Sequence, residues 1–373
     1  MGILRFILAV SVVLFHSSSI FGVAFVGGQT AVQAFYIISG FYMTLILKEK
    51  YIGANKSYKL FISNRFLRLY PIYWIVFLIT LIYALIVLVY TGGSNYGILT
   101  NFVTYYNSMG IGSFVFLAFV NVFLFLQDVL FFLGLNTATG QFFFTPDFHQ
   151  TNPYVNMFLL VPQAWTIGME ITFYLIAPFL VTKRLRFVAV LIAASLVLRL
   201  ILRSYGLTND PWSYRFFPTE LLFFMLGTVA YHAYLKIKSY NLKPLALQLI
   251  FGGIMLLTIM FSFIHVPANL FALKHPAYLV AFFVSLPFVF LLTKRWKRDS
   301  KIGDLSYPIY ISHILLLTWL KDLDIVPPEY MGLVLTIITV LFSIALNKLV
   351  TDKIEGYRQR RLVQKVPQPV QAN

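Results

Sequence analysis

Residues 66–90 read FLRLYPIYWIVFLITLIYALIVLVY, and from Leu69 to Tyr90 no side chain carries a charge. Twenty-two helical residues at 1.5 Å each reach about 33 Å, enough to cross a hydrocarbon core of about 30 Å. A strand of a membrane barrel would alternate apolar and polar residues over about ten positions, and a surface helix of a soluble protein would keep one polar face. This run does neither, so it predicts a membrane-spanning helix. Working outward, similar runs occur at residues 3–21, 30–47, 160–182, 187–203, 216–235, 244–264, 276–293, 305–320 and 330–350. With 59% hydrophobic and 11% charged residues and a mean hydropathy of +0.80, the 373-residue chain reads as an all-α integral membrane protein. The expected architecture is a polytopic helical bundle of about ten transmembrane helices.

Charge placement sets an orientation. The net charge of +16 would suit a nucleic-acid partner if the basic residues formed one patch. Instead most of the 29 Lys and Arg fall in alternate loops: KEKYIGANKSYK with Arg65 and Arg68, then KRLR, KIKSYNLK, KRWKRDSK and the tail from Lys348 to Lys365. The positive-inside rule explains that pattern, excludes nucleic acid as the implied partner and puts both termini on the cytoplasmic side. The opening residues lack an Ala-x-Ala cleavage site, so the first helix is expected to be retained. Residues 98–134 are apolar yet must join two outer ends. Either two more helices or a re-entrant hairpin satisfies this, and the hairpin is preferred because protein can bury its backbone. Residues 135–158 then form an aromatic-rich cover on the outer side. No internal repeat is evident. The chain is expected to hold one transmembrane domain, residues 1–355, and a cytoplasmic tail, residues 356–373, ending in the disordered VPQPVQAN.

Ionisable residues inside such helices are costly and mark candidate sites. Arg5 and His16 are eleven residues apart, three helical turns plus 20°, and therefore share a face about 16.5 Å apart along the axis. That face would link the cytoplasmic surface to the membrane midplane, where a neutral imidazole serves as a base. The plain alternative makes Arg5 a positive-inside anchor and His16 a packing residue. Arg65 and Arg68 stand three apart where the third helix leaves the cytoplasm, and two planar guanidinium forks suit phosphate oxygens. Glu170 lies early in an otherwise apolar helix and needs a partner, an imidazole or an arginine, or else a proton. Ser39 and Gly40 in FYIISGF permit close helix approach, with packing preferred for Gly40. In LSYPIYISH, Tyr307, Tyr310 and His313 share a face at spacings of three, and His313 suits a structural hydrogen bond as well as it suits catalysis. The remaining histidines, His149, His232, His265 and His275, show no metal-ligand spacing, cysteine is absent, and no glycine-rich phosphate loop occurs. No metal site is expected.

Taken together, five stretches resemble the membrane-bound acyltransferase 3 family, the type that O-acetylates cell-surface polysaccharides. They are the Arg-x10-His of Arg5 and His16, FYIISGF (35–41), RFLRLYPIYW (65–74), WTIGMEITFY (165–174) and LSYPIYISH (305–313), in the family's usual order. The resemblance implies transfer of an acyl group, foremost acetyl, from cytoplasmic acyl-CoA to a sugar hydroxyl of a cell-envelope glycan, antibiotic or lipid. It implies the bacterial inner (cytoplasmic) membrane as the location. Carried over by position, His16 resembles the essential histidine and Arg5 its motif partner. Arg65 and Arg68 resemble the pair that meets the acyl-CoA phosphates, and Glu170 matches a recurrent acidic position. Ser39, Tyr307 and His313 are supporting candidates. Acetyl-CoA or another acyl-CoA is the expected donor, with no permanently bound cofactor. Two departures stand out. Gln33 occupies a position that is acidic in many members, and no extracytoplasmic hydrolase-like domain is present, so a separate extracytoplasmic transferase protein is a possible partner. The rival reading is a transporter or flippase for a lipid-linked saccharide, with Arg, His and Glu as gating groups.

Overall fold

The computed structural model describes residues 1–51, 57–95 and 97–363. Among these the helices are α1 (Gly2–His16), α2 (Gly28–Glu49), α3 (Tyr58–Tyr90), α4 (Thr100–Tyr105) and α5 (Ile111–Phe123). A short hairpin of β1 (Leu133–Asn136) and β2 (Gln141–Phe144) follows, with Leu133 opposite Phe144. The chain continues through α6 (Trp165–Leu180), α7 (Leu185–Ser204), α8 (Phe217–Ile237), α9 (Pro244–Met260) and α10 (Phe271–Thr293). It ends with α11 (Lys297–Asp304), α12 (Ser306–Leu323), α13 (Met331–Leu346) and α14 (Asp352–Val363), the last two joined by a π-helical stretch, Asn347–Thr351. The boundary expected after residue 355 falls inside α14, and the expected disorder of residues 366–373 lies outside the described residues.

The chain is an all-α integral membrane protein apart from that hairpin. Six of the described helical segments are long and apolar enough to cross a membrane: 28–49, 58–90, 185–204, 244–263, 268–293 and 328–361. Of the other expected crossings, α1 and α6 are shorter, at 15 and 16 residues, while α8 and α12 carry Glu220, His232, His313 and Lys321. Where lipid is the solvent, the polar positions turn inward. Accordingly α2 is buried along most of its length, whereas α7 buries only Val188 and Ser195 and exposes Val190, Val197 and Leu200.

Glycine sets the tightest contact. A Cβ on Gly40 would lie 1.9 Å from the Phe224 carbonyl oxygen, and one on Gly227 would lie 2.0 Å from that of Ile37. Thus α2 and α8 touch backbone to backbone, with Thr44 Oγ1 donating to Thr228 Oγ1 at 3.0 Å beside them. Nearby, Glu220 is fully buried and pairs with Arg199 of α7 at 2.5 Å, while the Gln33 amide donates to both of its oxygens at 3.3 Å. A carboxylate does therefore stand against position 33, supplied by α8 rather than α2.

The difficult stretch, residues 98–134, contains no membrane-length helix among the described residues. At 13 residues α5 is about 20 Å long, and Leu124 and Leu126, at φ 61° and 66°, then turn the chain back. The carbonyls orphaned by that turn are met from α3: Tyr70 donates to Phe123 O at 2.5 Å, Trp74 Nε1 to Val122 O at 2.9 Å, and Tyr73 to Asn121 O. The Tyr-Pro-Ile-Tyr-Trp run is thus a set of caps for non-helical backbone. On the hairpin's far side the exposed Asp147 carboxyl accepts hydrogen bonds from the side chain and backbone of His149, which hold it below the usual carboxylate range.

Candidate active site

Between α1, α2, α3, α6 and α12 lies a cavity of about 500 Å3. Its wall follows α2 from Lys50 to Val32, about 27 Å at 1.5 Å per residue. Five helices each contribute a group identified in the sequence: Arg5 from α1, Ser39 from α2, Arg65 and Arg68 from α3, Glu170 from α6 and Tyr307 from α12. Widely separated segments of the chain converge here because each turns its few polar residues away from lipid.

Its basic end is built at the start of α3. Ser57 caps that helix by accepting from Leu60 N at 3.1 Å, and the first turns raise Arg65 and Arg68 onto the cavity wall. Arg65 is 5% exposed, its Nε lacks a partner, and neither arginine forms an ion pair among the described residues. Arg5 is fixed by a 2.8 Å hydrogen bond from Nη2 to Ser306 Oγ, which in turn donates to Gly303 O. The first turn of α1 is capped from α11, where the Asp299 carboxylate accepts from Gly2 N and Ile3 N at 2.7 and 2.9 Å. Deeper in, Tyr174 donates to Glu170 Oε2 at 2.6 Å, and Ser39 Oγ donates to Tyr174 at 3.4 Å.

The cavity's inner end is closed by Tyr310. Its hydroxyl accepts from Thr166 Oγ1 at 2.7 Å and donates to Gln163 O at 3.0 Å. Behind it stand the two histidines, which do not line the cavity. This differs from the sequence expectation, which put His16 in the path at the midplane. The reason is the length of α1: His16 is its last residue and is exposed, because Phe21, Gly22, Phe25 and Gly27, all at positive φ, turn the chain back toward α2. His313, by contrast, is fully buried.

Their hydrogen bonds fix the tautomers. His313 Nδ1 lies 2.7 Å from Tyr310 O and His16 Nδ1 lies 3.0 Å from Val12 O, and a carbonyl oxygen can only accept, so both Nδ1 atoms carry hydrogen. His313 Nε2, then unprotonated, faces His16 Nδ1 at 3.3 Å and shares its proton with Val12 O. The lone pair of His16 Nε2 is left free, with no partner among the described residues. Such an imidazole can take a proton or attack a carbonyl carbon. Among the described residues no three His, Asp or Glu side chains are grouped to hold a metal ion.

A basic cavity with a pair of imidazoles beyond it, one buried and one exposed, is the setting in which comparison with known proteins becomes decisive. The family model described as an acyltransferase domain, of the acyltransferase 3 type, matches residues 1–348. The chain belongs to the acyltransferase 3 family. An uncharacterised protein of Aquifex aeolicus (strain VF5) is 28% identical to it over 224 residues, covering 53% of this chain and 89% of that protein. No solved structure matches. The acyltransferase 3 assignment makes acyl transfer the general chemistry, and with it three groups that sequence spacing did not single out acquire interest. Tyr174 follows Glu170 by four residues, a spacing that places both on one helix face. Ser306 and Thr166 lie inside the quoted motifs LSYPIYISH and WTIGMEITFY but gave no signal of their own.

Proposed function

We propose that this acyltransferase moves an acetyl group from acetyl-CoA, entering the cavity from the cytoplasmic side, to a hydroxyl of a cell-envelope saccharide or lipid-linked glycan. The bacterial inner membrane is the proposed location, with ten crossings in all and both termini inside. The observation that carries this reading is the cavity itself: arginine forks without ion pairs among the described residues at one end and, in a lining that follows α2 for about 27 Å, Tyr310, whose ring centroid lies 5.9 Å from that of His313. Arg65 and Arg68 hold the phosphates, the pantetheine arm runs past Ser39, Glu170 and Tyr307, and the thioester arrives at Tyr310. For reaction, Tyr310 moves aside. The acceptor oxygen bonds to the thioester carbonyl carbon, its proton passes to His16 Nε2, the carbon–sulfur bond breaks, and the departing thiolate takes the proton back. If the acetyl group rests first on His16, the same nitrogen forms the bond. The exposed side of His16 is where the acceptor arrives, under the 135–158 cover, with or without help from a separate extracytoplasmic protein.

The test is mass spectrometry of surface glycans and lipids from cells expressing the wild-type chain or His16→Ala at equal membrane levels. Loss of an acetyl mass in the variant is expected. Identical acetylation in both strains would sink the proposal.

A further inference from the structure

Besides Arg5, Arg65 and Arg68, the cavity has a fourth arginine, which the family match does not reach. Helix α14 lies beyond residue 348, where that match ends, yet it folds back over the basic end of the cavity and contributes Arg358 to its lining. Two hydrogen bonds hold it there: Arg361 donates to Asn64 Oδ1 at 3.0 Å and to Ser63 Oγ at 2.8 Å, on the turn of α3 that carries Arg65. Arg358 is 8% exposed, and its Nε has no partner. Among the described residues its one ion pair is with Glu355, a half-buried residue of its own helix that also accepts from Gln359. Both Arg65 and Arg358 carry the repulsion of Arg68. Asp304 and Asp352 also line this end, but they are exposed at its rim. A cationic tail residue serving only membrane orientation would point into water. Here two guanidiniums are buried in the lining of one cavity, each with an Nε that has no partner among the described residues, a cost that an incoming anion would offset.

We infer that Arg358 is a third phosphate-binding arginine of the donor cavity, taking with Arg65 and Arg68 the phosphates of a nucleotide-bearing acyl donor. The inference rests on the donor reading above. Glu355 then competes with the donor for Arg358, and binding exchanges the carboxylate for phosphate. The π-helical stretch 347–351, with its wider turn, joins α14 to α13 and gives the helix a joint at which to follow the ligand.

Calorimetric titration of CoA into the full chain in neutral phosphatidylcholine nanodiscs tests this. Arg358→Gln should weaken CoA about tenfold to a hundredfold, as expected for a lost charge-assisted hydrogen bond, and leave pantetheine, which lacks the nucleotide, unaffected. Glu355→Gln, which retains every arginine, should tighten CoA severalfold. Wild-type affinity in Arg358→Gln alongside lost affinity in Arg65→Gln would overturn the inference and spare the donor reading. If the wild-type chain itself fails to bind CoA, the donor reading falls. Unchanged or weaker binding by Glu355→Gln overturns the inference even where Arg358→Gln does not fold. A loss seen only in nanodiscs containing phosphatidylglycerol would assign Arg358 to a lipid headgroup and equally overturn it.

Discussion

Removing His313 should slow acetyl transfer modestly, and the size of the loss discriminates between two roles. In the tautomer arrangement above, His313 only accepts part of a proton that His16 also shares with Val12. The contact to His313 is the longer of the two, 3.3 Å against 3.0 Å, so His313→Ala leaves the stronger one intact. A net hydrogen bond contributes about 0.5–1.5 kcal/mol, which corresponds to a rate loss of about twofold to thirteenfold. His16→Ala removes the base itself and should cost about 10²–10⁴-fold or more. Initial rates at saturating acetyl-CoA, measured on protein in nanodiscs, separate these ranges. His313→Gln, whose carbonyl oxygen can accept from Nδ1, should recover part of the loss, which mere cavity filling would not explain. In the double variant His313→Ala should add nothing, since no base remains to be oriented. A loss in His313→Ala as deep as that in His16→Ala would refute the reasoning and make His313 the proton acceptor.

Arg65→Lys and Arg68→Lys should raise the KM for acetyl-CoA less than the corresponding alanine variants and leave kcat nearly unchanged, because charge persists while the planar fork is lost. An unchanged KM in the alanine variants would remove the phosphate assignment. Gly40→Ala and Gly227→Ala should each lower the thermal midpoint of the purified protein, since a methyl group would have to sit 1.9 or 2.0 Å from a backbone oxygen and overpacking of this kind costs about 1–3 kcal/mol or more. Wild-type melting would show that α2 and α8 part freely. Tyr310→Ala should increase acetyl-CoA hydrolysis in the absence of acceptor, as release of free thiol reports, because it removes the side chain closing the cavity's inner end. Equal background hydrolysis would mean that the barrier lies elsewhere.

What the sequence makes legible here is whatever is local or imposed by lipid. Residues 66–90 declare a helix because from Leu69 onward the run is apolar on every face, and Tyr307, Tyr310 and His313 declare a common face because three-residue spacing fixes it. Glu170 announces a partner need but not the partner, which proves to be Tyr174 one turn along. Bounds fail where backbone chemistry changes over a few residues. The crossing expected from residue 160 begins as a 3₁₀ turn at Pro162–Ala164, and the helix starts only at Trp165. Long-range meetings leave no trace at all. Nothing in residues 1–21 reveals that α1 stops at His16 beside α12, and nothing in the tail separates Arg358 from the other cations that the positive-inside rule already explains.

The separation of the arginine-lined cavity from the histidine pair follows from the two solvents the protein divides. On the proposed chemistry, a continuous polar passage would expose an activated thioester to water from both sides and would leave a path across the bilayer. Tyr310 avoids both by spending its hydroxyl on Thr166 and Gln163 while its backbone carbonyl orients His313. One residue of α12 thus closes the cavity and sets the proton pattern behind it. On the proposed chemistry, any movement of Tyr310 that admits the thioester also disturbs the hydrogen bond fixing His313, and through it His16. Opening and the availability of the base are then coupled within a single helical turn, with no need for a rearrangement of the bundle.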